Sequence, residues 1–333
     1  MVDDLLAALR AAGETTRLRI LALLARGELT VSDLVRILDQ SQPRVSRHLK
    51  LMVDGGLLTR FRDGAWVFYR LAADGVGRQL AESLLALTPS HDPLLAADAD
   101  ALDAIRAERF RAAQDYFRAN ADQWDAVRSL HVPEAEVEQT LIALAPEGGD
   151  LRLVDVGTGT GRMLDVFRDH TREAVGVDIS PDMLAVARRQ LERPDLAHCR
   201  VALGDMYDLP VAAGGNDLVI FHQVLHFAEQ PGLALREAAR VLAPGGSLLV
   251  ADFAPHEEES LRTVHAHRRL GFSVDEMAGW AREAGLIPVE KRHLTGDRLV
   301  VTVWRFDKPD QTAENDRTGQ AGQATKENTS HVA

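Results

Sequence analysis

Apolar residues recur at helical spacing through the first fifty or so positions. "DDLLAALRAA", "TRLRILALLARG" and "TVSDLVRILD" each predict an amphipathic helix. Gly27 should stop the second. Thr30, with Asp33 three residues on, gives the third a capping-box start. A fourth helix is expected from Ser41, which stands at its N-cap. Pro43 suits its first turn, and Val45, Leu49 and Met52 make one apolar face. The period then falls to two. "LLTRFRDG" and "AWVFYRL" read as strands meeting at Asp63-Gly64, a hairpin signal. Helical spacing resumes over 76–90. "TPSHDPLLAADAD", with Pro89 and Pro93, reads as a connector, and 100–145 as further helix broken near Pro133.

From Leu151 the pattern changes. "LRLVDVG", "AVGVD", "CRVALGD", "DLVIFHQ", "SLLVADF", "LIPVEKRHL" and "RLVVTVWRF" are short apolar runs separated by helical stretches. Alternating strands and helices predict an α/β doubly wound, Rossmann-like sheet with helices on both faces. The residues after about 306 lack apolar periodicity and are expected to be disordered.

Composition narrows the classes. A chain of 333 residues accommodates two domains, and a hydrophobic content of 46% is that of a globular protein. The one cysteine, Cys199, excludes a disulfide framework or a cysteine-rich zinc site within one chain. "MVDDLLAALR" lacks the basic start and apolar core of a signal peptide, and no run of about 18 apolar residues appears. A cytoplasmic protein without a membrane partner is expected. The formal net charge is −12, yet residues 36–70 hold seven basic against three acidic side chains. A local basic patch on an acidic body suits a site-specific DNA binder, because phosphate contacts are local and screened beyond about 10 Å.

A helix, a tight turn, a helix with a basic outer face and then a hairpin is the pattern of a winged helix-turn-helix. Arg47 and Lys50 lie opposite the apolar face of the helix from Ser41, with Ser46 beside them and Arg44 on the flank. Arg60, Arg62 and Arg70 lie on the hairpin. The stretch "ETTRLRILALLARGELTVSDLVRILDQSQPRVSRHLKLMVDGGLLTRFRDGAWVFYRL" resembles the ArsR/SmtB family of winged-helix repressors. That resemblance implies a homodimer on double-stranded operator DNA. It implies that Gln42, Arg44, Ser46, Arg47 and His48 lie nearest the bases, with Arg60 to Arg70 as the wing. His48 has two readings, a DNA contact or a half-buried residue beside Leu49. Metal-sensing members carry a cysteine pair in the stretch that here reads "ELTVSDL". Thr30 and Ser32 stand there instead, and neither hydroxyl is a soft metal ligand. The domain expectation is 1–90 for DNA binding, 91–114 for a linker or helix, 115–306 for the second domain, and 307–333 for the tail.

The second domain opens on "LVDVGTGTGRML". A strand ends near Asp155, and Gly157, Gly159 and Gly161 precede a helix whose N-terminal N–H groups are available to a ligand. The third glycine comes one residue earlier than in a dinucleotide fingerprint. That spacing is similar to the first motif of class I S-adenosylmethionine-dependent methyltransferases, and "AVGVDISPDML", "ALGDMYDLP", "NDLVIFHQVLHF" and "ARVLAPGGSLLVADF" follow in that family's order. The resemblance implies S-adenosyl-L-methionine as cofactor. Gly157, Thr158 and Gly159 would surround its methionine part, with Asp155 near the amino group. Asp178 would accept the ribose hydroxyls, Ile179 and Met183 flank the adenine, Asp205 accept from the adenine amino group, and Met206 cover the ring.

Methyl transfer from a sulfonium needs in-line positioning and a dry site, and a base only when the acceptor must lose a proton. His222, Gln223 and His226 are the candidates on the acceptor side, with Gln223 also expected to bind the cofactor. His256, His265 and His267 lie in "FAPHEEESLRTVHAHRRLGF", a usual place for a substrate lid. His222 and His226 are four apart, but in a strand-to-loop region, and no metal is expected. Arg268 and Arg269 would bind an acidic acceptor or pair with Glu257, Glu258 and Glu259. Tyr116, Phe117 and Trp124 would cover the cofactor or pack the domains. Arsenite methylation requires several thiolates and is excluded by one cysteine. The expected function is a DNA-binding regulator with a fused methyltransferase domain acting on a small molecule. The alternative is a regulator that senses S-adenosylmethionine or S-adenosylhomocysteine without turnover.

Overall fold

A computed structural model describes residues 2–89, 91–120, 134–296 and 298–310. It divides into two compact units: one of residues 1–116 with 255–271, the other of 117–254 with 272–333. The segment 255–271, within the stretch expected as a lid, belongs to the first unit.

In that unit the helices are α1 (Val2–Ala12), α2 (Thr15–Leu24), α3 (Val31–Leu38), α4 (Gln42–Asp54), α5 (Gly75–Leu87) and most of α6 (Pro93–Asn120). The stretch expected as a linker or helix over 91–114 is helix from Pro93 on. Ile20, Leu34, Val45, Leu49 and Met52 interlock in its core, joined by Leu102 and Ile105 of α6. Each such buried side chain contributes roughly 1.5–3 kcal/mol of transfer free energy. Thr30 and Asp33 form the expected reciprocal capping box on α3. Ser41 occupies the N-cap of α4 but its hydroxyl makes no capping bond, and Pro43 alone marks the start. The second helix ends at Leu24, three residues before Gly27.

Strands β2 (Leu58–Asp63) and β3 (Trp66–Leu71) form the antiparallel hairpin. Asp63 pairs with Trp66 across a two-residue turn, Gly64-Ala65. Gly64 has φ +57°, which favours glycine. A two-residue strand, β1 (Leu29–Thr30), pairs with β3; it is too short to show periodicity in the sequence.

The second unit is built on a seven-stranded sheet. Its helix α7 (Glu134–Leu144) precedes β4 (Leu151–Val156). Then come α8 (Arg162–Val166), β5 (Thr171–Asp178), α9 (Pro181–Gln190), β6 (Cys199–Leu203), β7 (Asn216–His222), α10 (Pro231–Val241) and β8 (Leu242–Phe253). After the excursion to the first unit, which contains the short α11 (Ser260–Thr263), follow α12 (Val274–Glu283), β9 (Ile287–Thr295) and β10 (Val300–Asp307). All seven predicted strands form. Their order is β6-β5-β4-β7-β8-β10-β9, parallel through β8, with β10 antiparallel between β8 and β9. The central strands are apolar on both faces, as a doubly covered parallel sheet requires. Strand order reverses at β4, with β5 and β6 laid to one side and β7 and β8 to the other, so a crevice opens beyond the carboxyl ends of β4 and β7. Residues 307–310 close the described part, with Asp307 still in β10. The rest of the expected tail, 311–333, lies outside the described residues.

Candidate functional site

The crevice is a pocket lined by Asp155, Gly157, Thr158, Gly159, Asp178, Ile179, Met183, Asp205 and Met206, together with His222 and Gln223. Eleven of the residues singled out in the sequence thus converge in one place. They do so because each follows, or ends, a parallel strand: β4, β5, β6 or β7. Gly161 is not in the wall. It caps α8 at φ +87°, so its role is to turn the chain.

The glycine loop folds back over the end of β5. Gly157 and Thr158 donate their N–H groups to the Val177 carbonyl at 2.7 and 3.0 Å. Gly159 N–H donates to Asp178 Oδ2 at 2.8 Å, and Ser180 N–H to Oδ1 at 2.8 Å. Gly157 has φ +71°, and a Cβ there would lie 2.2 Å from Val224 Cγ2. Burial pushes the Asp178 carboxyl up from its ordinary value, against the hydrogen bonds from Ser180 and Gly159. A carboxylate has about four acceptor sites, so Asp178, which lines the pocket, keeps acceptor capacity beyond these backbone bonds.

The chemistry of the wall fits S-adenosylmethionine. Three carboxylates suit an ammonium-bearing, sulfonium-bearing ligand. Thr158 Oγ1 is buried in the wall with no hydrogen-bond partner among the described residues, a polar atom that a ligand can satisfy. Tyr207 N–H donates to Asp205 Oδ1 at 3.0 Å, fixing that carboxylate at the pocket's far edge.

At the acceptor end His222, almost fully buried, places Nε2 3.5 Å from Glu134 Oε2. Gln223 Nε2 donates to Glu134 Oε1 at 3.3 Å. Gln223 is held at φ +50°, a strained conformation for a non-glycine residue and one that clusters at functional sites. Glu134 gave no sequence signal; it lies almost ninety residues before its partners. Phe117, Arg162, Met163, Val224 and Phe227 also line the pocket. Phe117 packs edge-on against Phe227 at 4.9 Å. Of the three aromatics noted upstream, Phe117 thus reaches the pocket and Trp124 lies outside the described residues.

His226 departs from expectation. It is not in the pocket wall. Its Nδ1 lies 2.8 Å from Asp252 Oδ1, its N–H donates to Asp252 Oδ2, and its ring rests on Phe227 and Phe253. The reason is geometric: the turn after β7 points position 226 back towards β8.

The expected lid is also corrected. His256 N–H donates to the Leu270 carbonyl, and Tyr116 Oη lies 2.7 Å from His265 Nδ1. Arg269 contacts Asp63 Oδ2 at 2.6 Å and Glu28 at 3.0 Å, and Arg268 lies 3.7 Å from Asp33. These partners replace the acceptor or the neighbouring glutamates as the role expected for the two arginines. Among the described residues no group of three His, Cys, Asp or Glu side chains is arranged to hold a metal ion.

In the first unit α4 exposes Gln42, Arg44, Ser46, Arg47 and Lys50 while Val45, Leu49 and Met52 are buried. Arg60 and Arg62 are exposed on β2. Arg70 is drawn to Glu28 at 3.3 Å and over the Phe61 ring. His48 is half-buried. Its Nδ1 lies 3.5 Å from Arg17 Nη1 and 3.7 Å from Glu14 Oε2. Burial, with Arg17, Arg44 and Arg47 nearby, lowers its pKa against the pull of Glu14. No helix among the described residues is long and apolar enough to cross a membrane.

Comparison with known proteins agrees with both units. A family model described as "Methyltransferase domain" matches residues 154–250, and one described as "Bacterial regulatory protein, arsR family" matches 14–60. A demethylmenaquinone methyltransferase of Renibacterium salmoninarum is 30% identical over 171 residues, 44% of this chain and 70% of that protein. The arsenical resistance operon repressor of Escherichia coli is 53% identical over 60 residues, 18% of this chain and 51% of that one. The putative methyltransferase solved in complex with the Haloferax volcanii Trm112 activator aligns with a TM-score of 0.51 at 25% identity, over 59% of this chain and 97% of that chain. The chain spans about half the length of several curated methyltransferases it matches, from 46% to 58%. With the glycine loop, the three strand-end aspartates and the winged helix all in place, the chain belongs to the class I S-adenosylmethionine-dependent methyltransferase family and carries an ArsR-type winged helix-turn-helix at its N-terminus.

Proposed function

We propose that this protein is a cytoplasmic, homodimeric transcriptional regulator that binds operator DNA through α4 and the β2–β3 wing, and whose second unit binds S-adenosylmethionine and methylates a small molecule. The observation that carries the reading is one pocket lined by Asp155, Thr158, Asp178, Asp205 and His222, with Glu134 3.5 Å from His222 Nε2.

Asp178 holds the ribose hydroxyls, Asp205 the adenine amino group, and Ile179, Met183 and Met206 the faces of the ring. Gly157, Thr158, Gly159 and Asp155 hold the methionine part. The cofactor supplies a methyl group already activated on sulfur, so the protein's work is alignment and exclusion of water. Phe117 and Phe227 exclude water from the acceptor end. His222 takes a proton from a protic acceptor, and Glu134 stabilises the resulting imidazolium. On the DNA side, Arg44, Arg47 and Lys50 supply phosphate and base contacts, Gln42, Ser46 and His48 lie along the same helix, and Arg60 and Arg62 extend the contact from the wing.

A second reading has its own support. The 255–271 segment, joined at both ends to the methyltransferase unit, packs with the DNA-binding unit, which favours a role for cofactor occupancy in controlling DNA release. Calorimetric titration with S-adenosylmethionine tests what both readings share. One site per chain is expected; no binding at millimolar cofactor refutes both. Formation of S-adenosylhomocysteine with hydroquinone or phenol acceptors, abolished in His222→Ala, then supports turnover.

A further inference from the structure

The wing turn is enclosed. Asp63, buried at its base, accepts from Arg262 Nη2 at 2.9 Å, Arg269 Nε at 2.6 Å and the Leu270 N–H at 2.9 Å. Ala65 N–H, in the turn itself, donates to Glu259 Oε1 at 2.6 Å. The Arg262 guanidinium lies 4.2 Å over the Trp66 ring, Arg268 5.0 Å over Phe68 and Arg269 4.8 Å over Phe61. The contact is also tight in shape. A Cβ on Gly64 would lie 2.1 Å from Glu259 Oε1 and 2.6 Å from Leu270 Cδ1. Three arginines of one seventeen-residue segment therefore grip the hairpin expected to touch DNA.

That segment leaves β8 after Phe253 and returns at Phe272, whose N–H donates to the Phe253 carbonyl at 2.8 Å. Both its ends are thus pinned at Phe253. The Phe253 ring packs on His226, which Asp252 clamps and whose ring lies tilted against the pocket residue Phe227 at 4.2 Å. A second route runs through neighbours in α6: Tyr116 meets His265 of the segment, and Phe117 meets Phe227.

We propose that residues 255–271 are an arginine strap whose partner surface is the wing, Asp63 with Phe61, Trp66 and Phe68, and that occupancy of the cofactor pocket shifts the strap between docked and released states and so sets operator affinity. This rests on the cofactor reading of the pocket and names how that pocket regulates DNA binding. The chemistry suits a reversible contact. Buried ion pairs gain attraction but lose hydration, so their net stability is small while their geometry is specific. Release of the strap would give the wing a second, free arrangement beside the gripped one, which is what transmission between sites requires. A ligand moves that balance only by binding one state better, and the pocket reaches the strap's anchor through Phe227 and His226.

Hydrogen–deuterium exchange on the full chain, with and without saturating S-adenosylhomocysteine, tests this. Peptides over 153–164 should be protected by the ligand, and peptides over 58–71 and 255–271 should change together. Protection of 153–164 with both other regions unchanged overturns the strap proposal and leaves the cofactor reading standing. No protection at 153–164 overturns the cofactor reading and the strap with it. A variant adds a second arm. Gly64→Ala displaces the Glu259 carboxylate and the Leu270 side-chain end from the turn and so weakens the grip, while Gly75→Ala, at φ +79° with nothing within 4 Å of the added Cβ, incurs only the backbone strain. The ligand should change operator affinity at least about fivefold in wild type and Gly75→Ala. In Gly64→Ala the change should fall below about twofold, with ligand affinity kept. A full response in Gly64→Ala overturns the proposal, and if that variant does not fold, the exchange result decides alone.

Discussion

Removing the Asp178 carboxylate is the sharpest perturbation of the cofactor site. In Asp178→Ala the ligand loses the charge-assisted hydrogen bonding to its ribose, a loss of about 1.5–3 kcal/mol in all. Two backbone donors, Gly159 N–H and Ser180 N–H, lose their 2.8 Å acceptors at the same time, so the loop that lines the methionine part also loosens. The expected fall in affinity is about ten- to hundredfold, converting that energy at about 1.4 kcal/mol per decade. Titration calorimetry with S-adenosylhomocysteine measures it, and circular dichroism confirms the fold. Asp178→Asn separates the causes: it keeps one acceptor oxygen but presents an N–H group to a second donor, so an intermediate loss is expected. The pH dependence has a definite sign. Burial raises this carboxyl above its ordinary 3.8. Binding needs the ionised form, so affinity should fall as pH drops through that raised value, earlier than for an ordinary aspartate. Stability of the ligand-free chain should move the other way, because protonation relieves the buried charge. Affinity in Asp178→Ala equal to wild type would refute the assignment.

Other perturbations probe the remaining parts. Arg47→Ala should weaken operator binding in gel-shift titration while leaving cofactor affinity unchanged; equal operator binding would remove Arg47 from the interface. Glu134→Gln should slow turnover of a protic acceptor by about 10- to 100-fold with cofactor affinity within about twofold, since it touches His222 and Gln223 but not the cofactor wall. Gly157→Ala should abolish cofactor binding, because its Cβ would strike Val224 in a left-handed backbone. Asp33→Asn should destabilise the first unit at neutral pH. Burial would raise the Asp33 carboxyl, but Arg109, Arg268 and the Thr30 hydrogen bonds outweigh it and hold the pKa down. That stability is present above the unfolded value, about 3.9, and is lost as pH falls through the lower folded one, so the gap in thermal melting should close in acid.

Much of the site was legible because its residues sit in local motifs. Asp155, Asp178 and Asp205 each mark the end of a strand whose apolar run is unmistakable, and strand ends in a parallel sheet share one edge. The basic face of α4 was legible for the same reason, since a helical period fixes which side chains oppose Val45, Leu49 and Met52. Long-range partners were not. Nothing near Glu134 announces His222. The arginines of "RTVHAHRRL" have glutamates beside them in sequence, and only tertiary structure reveals Asp63 and Asp33 as their partners. His226 misled because spacing alone does not say which way a turn after a strand will aim.

The most direct test is fluorescence anisotropy of the full chain on its own promoter DNA at one fixed salt concentration, titrated alone, with S-adenosylmethionine and with S-adenosylhomocysteine. A several-fold shift in operator affinity that differs between the two cofactors is the predicted result. Superimposable isotherms, with cofactor binding confirmed by calorimetry in the same buffer, would contradict the claim that the methyltransferase pocket governs the DNA-binding unit.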